Sequence, residues 1–83
     1  MGTKEYPGRF DCHAAALPDE PVFVLLARDP LFEELVEIWA RRRELAVSCG
    51  EKPADDLNKV HEAREVARRG AQWRRVNLGR WRE

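Results

Sequence analysis

Apolar residues change period along this chain, and each change marks an element. Val22, Phe23, Val24, Leu25, Leu26 and Ala27 form an unbroken, β-branched-rich run with proline on both sides, the pattern of a buried strand rather than a helix. From Asp29 the period becomes helical. Asp29 has the chemistry of an N-cap, Pro30 suits the first helical position, and Glu33, Glu34 and Glu37 put negative charge near the positive end of the helix dipole. Leu31, Leu35, Ile38, Leu45 and Cys49 recur on one face, with Phe32, Val36, Trp39 and Ala46 beside them. Glu37 and Arg41 form a favourable pair four apart on the wet side. Gly50 in a left-handed cap followed by Pro53 ends this helix, which the pattern places at 30–49.

A second helix is expected over 53–77. Asp55 and Asp56 fit its first turn, and Arg68, Arg69, Arg74 and Arg75 crowd its last turns, in the order the dipole favours. Its apolar face is narrow and smooth: Leu57, Val60, Ala63, Ala67 and Ala71 in one stripe, Val66, Gly70 and Trp73 in the next. Small residues invite a close neighbour, and the helix propensity that Gly70 gives up, about 1 kcal/mol, is tolerable at such a contact. The pattern predicts an antiparallel hairpin, with Trp39 and Phe32 filling what the alanines leave.

Before these elements, residues 1–20 hold Pro7, Gly8 and Pro18, with Pro21 just after, a density that predicts an extended arm. Arg9 to His13 reads as a short strand, and Ala14 to Leu17 as one helical turn. A strand at 21–28 needs a partner, either this arm or the same strand of a second copy. The tail, 78–83, follows stop signals at Asn77 and Gly79, and Leu78 and Trp81 are expected to fold back on the apolar layer. The expected fold class is α+β: one domain over 1–83, an extended N-terminal arm and a short β-strand packed on a two-helix hairpin.

With 83 residues, only about 60 to 65 % of the unfolded surface can be buried, so a dimer or another partner is expected. The 15 basic and 15 acidic side chains cancel, which argues against a dedicated non-specific DNA binder. They are unevenly distributed: residues 1–62 carry 8 Lys and Arg against 13 Asp and Glu, and residues 63–83 carry 7 Arg against Glu65 and Glu83. The chain is therefore a charge dipole in sequence. Cys12 and Cys49 are far apart with no export signal before them and read as reduced thiols in the cytoplasm. The longest apolar run is far too short to span a bilayer.

No catalytic or cofactor signature is present. Cys12 beside His13 lacks a third group, and neighbours in a strand point apart. Cys12, His13, Cys49 and His61 supply zinc-ligand types without the paired spacing of zinc motifs, and His61 reads as a surface or half-buried imidazole. Glu33, Glu34 and Glu37 serve either as helix capping and a solvated face or as an anionic patch that fits a basic groove. Arg41, Arg42 and Arg43 fan round the helix, so at least one must snorkel or pair. From Arg64 to Arg82 arginine interleaves with Trp73 and Trp81. That composition fits phosphate and base contacts, an arginine-rich protein anchor, or a solvated helix.

Phe10, Asp11 and Cys12, the stretch ALPDEPVFVLLARDP from Ala16 to Pro30, Trp39, and the close formed by Trp73, Asn77, Leu78, Gly79, Arg80 and Trp81 resemble a family of small phage and prophage proteins. The likeness spans most of the chain, includes no catalytic motif and transfers no functional residue. It implies a setting in which small proteins, anti-CRISPR proteins among them, bind a host interference complex and block DNA recognition or nuclease recruitment. Together, residues and resemblance lead us to expect a non-enzymatic cytoplasmic inhibitor of a bacterial defence complex, acting by stoichiometric binding that blocks the complex's DNA-binding surface. Its contacts would be Glu33, Glu34 and Glu37 if it mimics DNA, or Arg68, Arg69, Arg74 and Arg75 if the basic end binds. The alternative is a nucleic-acid-binding accessory protein that uses the C-terminal arginines and tryptophans.

Overall fold

Gly50 and Pro53 divide two long helices, as their chemistry requires. In the computed structural model, which describes residues 1–80, these are α2 (Phe32–Ser48) and α3 (Leu57–Val76). A one-turn helix, α1 (Cys12–Ala15), lies in the N-terminal arm, and a 3-10 turn (Ala54–Asp56) leads into α3. Gly50 adopts φ 79°. Its amide donates to the Val47 carbonyl at 3.0 Å, and the Glu51 amide donates to the Ala46 carbonyl at 2.9 Å. These are the two bonds of a Schellman cap.

The helices pack as an antiparallel hairpin. Contacts run from Arg43 with Asp56, through Glu44 and Glu37 with Arg64, to Phe32 at Gly70, so positions on α2 fall as those on α3 rise. The molecule measures 44 × 28 × 19 Å. The short axis is about two helix diameters, so each helix keeps a face that no other layer covers.

The α+β expectation is overturned: among the described residues there is no strand and no sheet. Residues 21–26 form no regular element and join no ladder. A strand exists only as one side of a ladder, and the N-terminal arm that was one candidate partner is tied to α3 instead. Val22, Phe23, Val24 and Leu26 stay on the surface, Phe23 86 % and Val24 65 % exposed, while Leu25 and Ala27 are half-buried. The short strand expected at Arg9 to His13 is replaced by α1, whose cap Asp11 accepts from the Ala14 amide through Oδ1 at 3.3 Å.

Helix boundaries shift for local reasons. Asp29 does not cap α2. Its Oδ1 accepts from the Leu31 amide at 2.8 Å and its carbonyl from the Phe32 amide at 3.0 Å, a side-chain turn that delays the helix by two residues relative to Pro30. At the other end Asn77 caps α3, its Nδ2 donating to the Trp73 carbonyl at 2.8 Å. Leu78 does not fold back, being 74 % exposed; Trp81 lies outside the described residues.

Of the two stripes on α2, the hairpin covers the one through Phe32, Val36 and Ala40, which meets Val60, Ala63 and Ala67 of α3. Leu31, Leu35 and Leu45 are left in solvent. Trp39 does not fill the gap beside the alanines: it stays at the surface, with the Arg43 guanidinium 5.1 Å from its ring centroid. Met1 packs on the Ala40, Val60 and Ala63 cluster from the arm side. No helix among the described residues is long and apolar enough to cross a membrane.

Candidate functional site

Two tethers bring the irregular segments against α3. Glu62 projects from α3 to the arm, where its Oε1 accepts from the Arg9 amide at 2.8 Å and its Oε2 from the Phe10 amide at 2.9 Å. The Met1 ammonium lies 3.4 Å from Oε2. Burial pushes the Glu62 carboxyl up, but the two amides and the ammonium more than offset this and hold it below its ordinary range. Lys59 and Arg9 both lie over the Phe10 ring, at 5.7 and 5.1 Å from its centroid. The second tether is Arg74, whose Nε donates to the Arg28 carbonyl at 3.1 Å, fastening the end of the 21–28 segment. Sequence reasoning missed both tethers, because a side chain bonding a distant backbone leaves no local pattern.

Between the tethers lies a cleft of roughly 370 Å³. Leu25, Phe32, Val66, Gly70 and Trp73 supply its apolar walls, and the missing side chain at Gly70 leaves the Phe32 ring in the wall. Lys4, Arg28 and Arg69 line it with positive charge, and no carboxylate does. Lys4 is carried into place by a tight turn, in which the Thr3 amide donates to the Tyr6 carbonyl at 2.9 Å and the Tyr6 amide to Thr3 Oγ1 at 2.9 Å. Among the described residues, none of these three cations has an ion-pair partner. Trp73 is 36 % exposed and has the Arg80 guanidinium 5.7 Å from its ring centroid.

The acidic set meets a different fate. Glu33, Glu34 and Glu37 share one shallow groove with Ile38 and Arg41. Glu37, however, pairs across the hairpin with Arg64 at 3.1 Å, not along its own helix with Arg41. Arg64 also reaches Glu44 at 3.0 Å. The hydrogen bond and the charge of Arg64 hold the Glu44 carboxyl below its ordinary range, and Glu44 and Glu37 in turn raise Arg64. The charge dipole of the sequence is thus partly closed by the fold.

The basic set is divided as well. Arg68 pairs with Glu65 on its own helix, and Arg74 holds the Arg28 carbonyl. Arg74 and Arg75 face Glu33 across a second, smaller cleft that also touches Leu78. Only Arg69 of the four reaches the apolar cleft. Of the three consecutive arginines on α2, Arg43 is the one that pairs among the described residues, its Nη1 donating to Asp56 Oδ2 at 3.1 Å. Asp56 is 8 % exposed and also lies 3.9 Å from Lys59, so its buried charge has compensation at hand.

Cys12, His13, Cys49 and His61 are all exposed and do not converge. No group of three or more His, Cys, Asp or Glu among the described residues is arranged to hold a metal ion.

Comparisons with family profiles, with curated proteins and with solved structures find no match to this chain.

Proposed function

We propose that this protein acts by stoichiometric binding, and that its contact site is the cleft between the N-terminal arm, residues 25–28 and α3. The observation that carries this reading is the convergence of Lys4, Arg28 and Arg69, none of them ion-paired among the described residues, on walls of Leu25, Val66, Phe32 and Trp73. Apolar walls favour a side chain of similar character, and a one-sign rim selects carboxylates beside it. The matching partner is a protein segment that carries a large apolar residue close to acidic ones. In the setting that the phage-protein resemblance implies, that segment belongs to a bacterial defence complex in the host cytoplasm.

Charge placement favours the cleft over the acidic groove. DNA mimicry needs uncompensated carboxylates, and Arg64 and Arg41 stand among Glu33, Glu34 and Glu37. Reversal of Arg69 to Glu is expected to weaken capture of an acidic, Phe-containing peptide by about tenfold, roughly 1.4 kcal/mol. Reversal of Glu33 and Glu34 to Lys leaves it unchanged. Equal losses from both sets would remove the cleft from consideration.

A second reading, contact with single-stranded nucleic acid, is favoured by one observation: Trp73 is part-exposed, with Arg80 over its ring and Arg69 also lining the cleft. Its signature is binding to a labelled oligonucleotide that falls steeply with salt.

A further inference from the structure

Resting on the cleft reading, we infer that a second copy of this chain supplies an occupant, and that the protein self-associates through residues 17–28. The segment Leu17-Pro18-Asp19-Glu20-Pro21-Val22-Phe23 has the chemistry that the cleft selects: two carboxylates close to a large apolar side chain. It is presented outward. Leu17 is 66 % and Phe23 86 % exposed, and Asp19 and Glu20 are exposed with no ion-pair partner among the described residues.

The order of charges along the segment singles out a second copy. Asp19 and Glu20, whose Oε1 accepts from the Leu17 amide at 3.0 Å, stand at one end and Arg28, which lines the cleft, at the other, with Phe23 in solvent between them and Leu25 in the cleft wall. Two copies crossing in opposite directions about a two-fold axis set the acidic end of each beside the basic end of the other and Phe23 of each toward the other's cleft, so each match occurs twice, as an isologous contact requires. Val22, Val24 and Leu26, which the monomer leaves exposed, then lie inside the interface.

Self-association competes with any partner that uses the same cleft. A monomer released by dilution or by a tighter partner segment is the binding-competent form.

Sedimentation velocity over a concentration series, with circular dichroism to confirm folding, tests this directly. The wild type is expected to shift from monomer to dimer as concentration rises. Phe23→Asp, at a side chain the monomer does not pack, is expected to remain monomeric. Glu20→Arg and Arg28→Glu should each weaken the dimer at least about tenfold, roughly 1.4 kcal/mol, and the double variant Glu20→Arg/Arg28→Glu should recover it. A monomeric wild type at all concentrations overturns the inference, as does a double variant no better than its parents. The synthetic peptide LPDEPVF separates the two levels of the argument. Binding of the peptide by a wild type that never dimerises removes self-association and keeps the cleft. Failure of the Phe23→Asp monomer to bind the peptide removes both.

Discussion

A Cβ built on Gly70 lies 2.5 Å from Cε1 of Phe32 and 2.9 Å from its Cδ1. The contact that closes the open end of the hairpin is therefore ring against bare backbone. Phe32 is only 8 % exposed, so a ring displaced from Gly70 must turn into one of the clefts it lines and give up its packing. Replacing glycine in a helix interior with alanine gains about 1 kcal/mol of propensity, whereas overpacking costs about 1–3 kcal/mol. Gly70→Ala is expected to lose about 1 kcal/mol net, seen as a midpoint shift in urea unfolding. The same substitution in a Phe32→Leu background should be neutral or stabilising, because the smaller side chain vacates the space.

Gly50 behaves differently, since nothing lies within 4 Å of a Cβ placed there. Its φ of 79° is the obstacle. Gly50→Ala is expected to cost about 1–2 kcal/mol from left-handed strain alone. By thermal unfolding that corresponds to a drop of roughly 4–8 °C per kcal/mol for a domain of this size.

The arm should detach with acid. Glu62 is held below its ordinary value of 4.5, burial opposing and the Arg9 and Phe10 amides prevailing. A carboxyl lowered on folding contributes stability that is complete above the ordinary value and is lost as pH falls through the lowered one. Glu62→Gln should therefore be less stable than wild type at neutral pH, with the difference shrinking below pH 4.5. Protection factors at the Arg9 and Phe10 amides should be lower than wild type in the variant at neutral pH, and should fall in the wild type only below pH 4.5.

Arg64 joins Glu37 and Glu44 across the hairpin. In Arg64→Met the Glu44 carboxyl should rise toward its ordinary value of 4.5, as read by NMR titration of its side-chain carbons. An unchanged titration would mean that the pair is not formed in solution.

The helices were legible because their signals are local. Gly50 and Pro53 stop α2, Asn77 and Gly79 stop α3, and the small residues Ala63, Ala67 and Gly70, in neighbouring stripes, announce a close neighbour. Which face of α2 that neighbour covers was not legible, because Leu31, Leu35 and Leu45 are as apolar as Phe32, Val36 and Ala40. The choice depends on the hairpin's rotation, a tertiary property. The strand expected at Val22 to Ala27 failed for a related reason: the composition records that the run should be covered but not by what, and among the described residues no strand pairs with it. The cleft was legible only in fragments. Arg69 was among the candidate residues, while Lys4 and Arg28 reach it only through the Thr3–Tyr6 turn and the Arg74 tether.

The most direct test of the cleft is an NMR titration of the Phe23→Asp variant with the peptide LPDEPVF, following backbone amides. The account predicts shifts confined to residues 2–4, 25–28 and 66–73, with the titration midpoint raised about tenfold by adding Arg69→Glu. Shifts centred on Glu33, Glu34 and Glu37, or none at millimolar peptide, would contradict it.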